Sequence, residues 1–283
     1  MKIELLTIFP EFFRGPLDFG ILRRARETGL VEISVHDLRE FTRDKHRTVD
    51  DRPFGGGEGM VLKPEPIFEC IEKLGVAPLA DRISRRVIGE AAGESSAESG
   101  AARARESVIL LSAQGRRLDQ ALAQELSELD RIVLICGRYE GVDERVSDYL
   151  ADREVSIGDY VLSGGELGAA VIVDTVVRLI PGAVGNDAST KQESFTTHAD
   201  LPGDGPSSTC GSGGLLDYPH YTRPADFRGM AVPEVLVNGN HDEIRRWRRR
   251  RALEKTLRNR PDLLDPATLN EEDRHLLAQL QKH

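Results

Sequence analysis

Cysteine is scarce in this chain. Cys70, Cys136 and Cys210 are the only three in 283 residues, and none belongs to a CxxC pair. That excludes a disulfide-stapled scaffold and suits a reducing cytosol better than an oxidised framework. Long apolar runs are missing as well. The longest, Leu167 to Val177, is too short to span a bilayer and carries Asp174 inside it. Glu4, Pro10 and Glu11 interrupt MKIELLTIFPEFF where a signal peptide would need an unbroken apolar stretch. The expectation is a cytoplasmic protein with no membrane partner. Positive charge is in deficit too: 38 Lys and Arg stand against 47 Asp and Glu, a net charge of −9. Taken alone, this argues against a protein that coats nucleic acid, because phosphate binding needs cationic side chains.

Two phosphate motifs are absent. No GxxxxGK followed by Ser or Thr occurs, so there is no Walker-type cradle. No GxGxxG follows the first strand candidate, and Asp37 lacks the upstream glycines of a Rossmann dinucleotide site. What is present is 39% hydrophobic residues, enough for a proper core in one large or two smaller domains. A wholly disordered or collagen-like chain is thereby excluded.

Along the first two-thirds, short apolar runs alternate with helical patterns. Ile3–Phe9, Val31–Val35, Val108–Leu111, Arg131–Cys136 and Glu154–Leu162 read as strands. Glu11–Thr28, Pro64–Leu74, Leu118–Leu129, Asp143–Leu150 and Glu166–Ile180 read as helices, the last stopped by Pro181. Such alternation predicts an α/β fold, a parallel sheet with helices on both faces. Two segments break the pattern. Glu90–Glu106 is Ala, Ser, Gly and Glu without an aromatic, and Thr196–Gly214 is rich in Gly, Pro, Ser and Thr. Neither has enough apolar surface to offset the entropy of ordering it. The expected division is an α/β domain over 1–185 with a flexible insertion at about 77–106, a flexible linker over 186–214, and a small helical domain over 215–283. In the last, Asn240 can cap a helix that Asp242 and Glu243 suit and Pro261 ends.

Ligands of open parallel sheets sit beyond the carboxyl ends of the strands. Three loops leave such ends here: Ser112–Gly115, Gly137–Gly141 and Ser156–Glu166. Their glycines let backbone approach a ligand closely. Each alone reads equally as a turn or a helix start, and spacing does not name the ligand. Gly55–Gly59 follows a charged, turn-like stretch and reads as a lid or hinge rather than a phosphate loop.

Five motifs carry a resemblance. VDDRPFGGGEGM (Val49–Met60), ICGRYEGVDERV (Ile135–Val146), SIGDYVLSGGEL (Ser156–Leu167), LLDYPHYTRP (Leu215–Pro224) and GNHDEIRRWR (Gly239–Arg248) occur in this order. Together they resemble the bacterial tRNA (guanine-37-N1) methyltransferases of the SPOUT group, over nearly the whole chain except the two insertions. The resemblance implies a deep trefoil knot in the α/β domain, which periodicity does not show and generic topology rules would oppose. It implies S-adenosylmethionine as methyl donor, tRNA as partner through its anticodon stem-loop, and a homodimer with active sites between subunits. The implied cofactor residues are Leu111, Ser112, Gly137, Tyr139, Gly141, Ser156, Ile157, Gly158, Asp159, Tyr160, Val161, Leu162, Gly164 and Gly165. Ala113 stands where the family usually has proline.

The chemistry makes further demands. Guanine N1 carries a proton at neutral pH, so a carboxylate must accept it. A cation must then steady the negative charge growing on O6. The resemblance assigns the cation to Arg178. It assigns the base to a linker Asp, where this chain has Glu193, with Asp200 and Asp204 as rivals. Asp217 matches the position that reads the guanine preceding the target. Asp50 and Glu140 match acidic positions near the target base or a Mg2+ ion, although no metal-binding spacing is visible. His46 and His220 could be ligands, with a structural role the simpler reading. Six Arg in the seven residues Arg245–Arg251 exceed what Glu254 could neutralise by pairing with Arg250 and Arg258. Arg245 and Arg248 are the candidates there for tRNA contact, and Trp247 with Ile244 is expected to dock the helix.

Two alternatives remain at this point: a SPOUT ribose 2′-O-methyltransferase, which would need neither the linker carboxylate nor Asp217, and a non-catalytic RNA-binding protein on the same scaffold. The charge figure also changes meaning. Asn240–Arg260 holds nine Lys or Arg against three acidic residues, a local +6, which leaves −15 on the remainder. The net value averages a basic element with an acidic body.

Overall fold

Strand Arg131–Cys136 shows how the core is laid out. Ile132, Leu134 and Cys136 join one buried cluster, while the alternate residues Val133 and Ile135 join another. A strand apolar on both faces must be covered on both. The computed structural model describes residues 1–84, 105–186, 190, 193–196, 213–265 and 269–281. The chain divides into two units, Met1–Gly185 and Asn186–His283.

The first unit is built on five parallel strands: β1 (Lys2–Thr7), β2 (Glu32–Asp37), β5 (Glu106–Arg117), β6 (Arg131–Cys136) and β7 (Arg153–Ser156), in the order β2-β1-β6-β5-β7. A short antiparallel pair, β3 (Asp50–Asp51) and β4 (Val61–Leu62), brackets the glycine-rich Gly55–Gly59 loop. One face of the sheet packs on α1 (Gly20–Glu27), α4 (Gln120–Ser127) and α6 (Glu166–Val177), through residues such as Leu22, Leu122 and Ile172. The other packs on α2 (Pro64–Lys73) and α5 (Glu144–Tyr149), through Ile67, Ile71 and Val146. Each such buried aliphatic side chain contributes about 1.5–3 kcal/mol. This is the expected α/β fold with both sheet faces covered.

Several boundaries differ from the sequence reading. Glu11–Thr28 is no single helix: a 3-10 turn at Pro10–Phe13 is separated from α1 by Gly15, at φ 96°, and by Pro16. The strand expected over Glu154–Leu162 ends at Ser156, whose hydroxyl accepts from Gly158 N (3.2 Å) and turns the chain. The Val108–Leu111 strand extends to Arg117, with a register shift between Leu111 and Arg116. Part of the insertion expected at about 77–106 falls within the described residues. Residues 79–84 form a helix, α3, and Arg82 in it is buried. Its guanidinium meets Asp152 (Nε to Oδ2, 2.9 Å) and the carbonyls of Ala77 and Leu150, while the same carboxylate accepts from Val108 N (2.6 Å). A buried arginine is tolerated only when paired in this way. Residues 85–104 lie outside the described residues, as does most of the expected 186–214 linker.

The amino-terminal end of the sheet holds a second buried charge cluster. Glu4 accepts from Arg131 Nη2 (2.9 Å) and lies 2.7 Å from His36 Nε2. Burial alone would raise the Glu4 carboxyl, but the hydrogen bonds from His36 and Arg131 outweigh it and hold it below its ordinary value.

The second unit centres on Leu215, Leu253, Leu269 and Leu277. Its helices are α7 (His241–Asn259) and α8 (Glu271–Leu280), preceded by a hairpin of β8 (Asp226–Phe227) and β9 (Met230–Ala231) that the sequence reading did not include. Asn240 caps α7 by accepting from Glu243 N (3.3 Å), as anticipated, and Pro261 follows the helix. Arg249 and the buried Asp273 join α7 to α8 through two hydrogen bonds, of 2.7 and 2.5 Å. Glu254 pairs with Arg251 (2.5 Å) rather than with Arg250 or Arg258, since i,i+3 reach on one helix face suffices.

Candidate functional site

The carboxyl ends of β5, β6 and β7 surround a cavity of about 380 Å³. Its walls are the three loops singled out above. In the first, Ser112–Gly115 bulges from β5. A Cβ on Gly115 would lie 2.5 Å from the backbone of Glu154 and Val155, so the close approach to β7 requires glycine. In the second, Tyr139 takes φ 60° and Gly141 φ 139°, and the loop is clipped to the β4 region by Glu140 N to Met60 O (3.1 Å) and Leu62 N to Gly141 O (3.0 Å). The third loop, 157–165, is bound back onto the second by Gly165 N to Gly137 O (2.9 Å) and a bridge between Arg138 and Gly164. A Cβ on Gly165 would lie 2.8 Å from Cys136 Cα.

Arg138 holds the second and third loops in place. Its guanidinium pairs with the buried Glu166 (2.9 Å), donates to Ser163 O (3.0 Å) and stacks over the Phe9 ring (4.5 Å). Glu166 in turn accepts from Thr7 Oγ1 on β1 (2.7 Å). The positive charge of Arg138 is therefore neutralised at the cavity wall. Three carboxylates, Glu140, Glu144 and Glu154, remain on the lining. Glu154 accepts from Ser147 Oγ (2.6 Å) and Gln114 Nε2 (3.1 Å). Burial would raise it, yet hydrogen bonds from Ser147, Ser112 and Gln114 keep it below the usual carboxylate range. The cavity thus combines bare backbone with acidic walls, a lining suited to a polar ligand carrying positive charge.

Of the residues expected to hold the cofactor, Leu111, Ser112, Gly137, Tyr139, Gly141, Ser156, Ile157, Gly158, Tyr160, Val161, Leu162, Gly164 and Gly165 line the cavity. Asp159 does not. Its side chain is 89% exposed and faces Arg117 (3.4 Å), because the turn at Gly158 points it away. Asp50 is brought to Tyr139, whose phenol is raised by burial and by its hydrogen bond to that carboxylate. Glu140, expected beside the target base, is part of the cavity lining, and Gly59 sits so near that a Cβ there would reach it at 2.6 Å. Sequence reasoning missed Arg138, Glu144, Ser147, Glu154 and Gly168 in this lining. No signal in the sequence marked Glu154, because β7 reads Arg-Glu-Val-Ser with a single apolar residue. Arg178 caps the carboxyl end of α6, half-buried, its N–H donating to Asp174 O (3.3 Å).

In the second unit two segments are zipped together. Phe195 N donates to Leu215 O (2.9 Å), Asp217 N to Ser194 Oγ (2.9 Å) and Gly214 N to Thr196 O (2.8 Å). Glu193 and Asp217 are thereby placed on neighbouring stretches of chain. Asp200 and Asp204 lie outside the described residues. The α7 arginines sort by partner. Arg249 is committed to Asp273, and Arg251 to Glu254 and the Trp247 ring (5.7 Å). Arg248 lies over Tyr218 (4.8 Å), and Arg245 is 4.0 Å from Asp242. Arg246 and Arg250 are exposed and have no carboxylate partner among the described residues. Trp247 is half-buried, with the Tyr221 ring 6.3 Å away. His46 is exposed in a turn where its N–H meets Asp44 (3.1 Å). No group of three or more His, Cys, Asp or Glu among the described residues could hold a metal ion, and no described helix is long and apolar enough to cross a membrane.

The family described as tRNA (Guanine-1)-methyltransferase TrmD matches residues 1–266. A protein of Koribacter versatilis (strain Ellin345) named tRNA (guanine-N(1)-)-methyltransferase is 64% identical over 281 residues, covering 99% of this chain and 98% of its own. Proteins of the same name from Dictyoglomus turgidum and Geobacter metallireducens are 48% and 46% identical, each over 100% of this chain and 97% and 98% of their own.

Proposed function

The chain belongs to the tRNA (guanine-1)-methyltransferase family, and from that premise we propose that it transfers a methyl group from S-adenosylmethionine to N1 of guanosine 37 of tRNA, beside the anticodon. The observation that carries the reading is the cavity at the ends of β5, β6 and β7, where the expected loops converge. Glycines at 115 and 165 leave no room for a side chain, and the carboxylates on the lining suit a cationic donor. When bound, the donor supplies an electrophilic methyl on a sulfonium. Leu111, Gly137, Ser156–Gly158, Tyr160–Leu162, Gly164 and Gly165 would hold it and exclude water. The Glu193 carboxylate accepts the N1 proton of the target guanine. The Arg178 guanidinium would stabilise the charge that grows on O6, leaving N1 as the nucleophile toward that methyl.

The finer expectations go with this reading. A trefoil knot in the α/β domain comes with the family, and the loops after β6 and β7, joined by the Gly165–Gly137 hydrogen bond, are where it would thread. A homodimer with its active sites between subunits is supported by Leu167 and Val171, exposed one turn apart on α6. Asp217, Asp50, Arg245 and Arg248 contact the anticodon stem-loop in the cytoplasm. Among the described residues no group of three or more acidic, histidine or cysteine side chains marks a site for the Mg2+ ion.

The test is methylation of tRNA transcripts with labelled S-adenosylmethionine, followed by mapping of the modified nucleotide. The expected product is N1-methylguanosine at position 37, lost when that guanosine is replaced. Label on a ribose, or donor that does not bind, would overturn the reading. In single-turnover assays Glu193→Gln should slow transfer by about 10²–10⁴-fold, the range of a general base. A near-normal rate would remove Glu193 from that role.

A further inference from the structure

The surroundings of Asp217 are unusually complete for a side chain on an exposed loop. Its backbone is fixed by Ser194 Oγ, while its neighbours Leu215 and Leu216 are held by burial among the leucines of the second unit and by a hydrogen bond from Leu216 N to Thr256 Oγ1 (3.0 Å). The carboxylate itself has two intramolecular partners. Tyr218 N donates to Oδ1 (2.8 Å), and His220 Nε2 lies 2.9 Å from Oδ2. Asp217 is 22% exposed in its side chain and His220 66%.

His220 does not hang free. Its ring packs on Tyr218 at 4.7 Å between centroids, and the Arg248 guanidinium covers the Tyr218 ring at 4.8 Å. Arginine, tyrosine and histidine form one cluster that ends on the carboxylate. Each carboxylate oxygen has two acceptor directions. With one direction on each oxygen already taken, one remains on each. Two parallel acceptors are what the N1–H and N2–H donors of a guanine edge require, and adenine lacks that pair.

We infer that His220 is a positioning residue for guanine recognition: it fixes the rotation of the Asp217 carboxylate so that both oxygens face the guanine preceding the target together. The inference rests on the reading of Asp217 as the residue that contacts that guanine. Arg248, exposed on α7 with its guanidinium over the Tyr218 ring, borders the same arrangement.

The test uses the full-length enzyme at saturating S-adenosylmethionine and transcripts carrying guanine or adenine before the target. The ratio of kcat/KM for the two RNAs is measured for wild type and for His220→Ala, His220→Phe, His220→Gln and Asp217→Asn. His220→Phe keeps the stack on Tyr218 but removes the donor. His220→Gln returns an N–H near the place of Nε2. The Ala and Phe variants are expected to lower the ratio about ten-fold, the scale of a hydrogen bond to a charged group, through a raised KM on the guanine RNA. The Gln variant is expected to restore most of it. If Asp217→Asn keeps the wild-type ratio, the reading of Asp217 itself falls. If Asp217→Asn loses discrimination while His220→Phe retains it, or if His220→Ala slows both RNAs equally, the positioning role is overturned.

Discussion

Replacing Gly165 by alanine should test the architecture of the cavity most directly. Gly165 has ordinary helical dihedrals, φ −77° and ψ −10°, so alanine brings no backbone strain at this position. The whole effect is steric. The added methyl would lie 2.8 Å from Cys136 Cα, 3.0 Å from Leu111 Cβ and 3.1 Å from Gly137 N. Two of these three neighbours are backbone of β6 and its loop, and Cys136 is paired with Leu111 of β5. They cannot yield as a flexible side chain would. The loop must move instead, at the cost of the Gly165–Gly137 hydrogen bond. Overpacking of this kind costs about 1–3 kcal/mol. Because the moving wall is the cavity wall, most of that cost should appear in ligand affinity, as about a 5- to 150-fold weaker Kd for S-adenosylmethionine in calorimetry. Thermal unfolding of the ligand-free protein reports the packing cost separately. Gly185→Ala is the control, because its nearest neighbour is the Arg24 side chain at 3.7 Å. Wild-type affinity in Gly165→Ala would refute the steric argument, whatever the ligand-free stability shows.

Two further outcomes follow from charges. Glu4 is held below its ordinary carboxylate value, so it contributes stability that is present above about pH 4.5 and is lost as pH falls through the lower folded value. Glu4→Gln should therefore flatten the acid limb of stability measured by urea unfolding, and an unchanged limb would refute this. Arg246→Gln and Arg250→Gln should each reduce the salt dependence of tRNA binding by a slope of about 0.7–0.9, as expected for one lost phosphate contact. Arg249→Gln should instead unfold the second unit more readily, because it leaves Asp273 buried and unpaired, by about 3–5 kcal/mol. Equal salt slopes for wild type and Arg250→Gln would refute the division of the arginines by partner.

The parts of the fold that were legible in the sequence depend on local periodicity. β6 and its two-faced burial follow from Ile132–Cys136 alone, and the α7 cap follows from Asn240 and the acidic residues after it. What local pattern did not show depends on partners far along the chain. β5 continues past Leu111 because β7 resumes pairing at Arg116, and nothing in SAQGRR announces that. Arg249 and Arg250 are adjacent and identical, and only Asp273, 24 residues on, makes one structural and leaves the other available. The candidate site was legible to the extent that glycine marks close backbone approach. Its carboxylates were harder to see, because Glu154 gains its function as a lining group from Ser147 and Gln114, which lie on other elements.

The Arg82 cluster bears on how this chain can be handled. Arg82 ties α3 to Asp152 and Leu150, and on the far side Arg105 N donates to Asp130 Oδ2 (2.7 Å) while Asp130 N returns to Arg105 O (2.9 Å). One carboxylate, Asp152, thus fastens α3 through Arg82 and the start of β5 through Val108 N. A truncation or tag that displaced α3 would leave that carboxylate buried without its arginine, and would loosen the first residues of the strand whose other end walls the cavity.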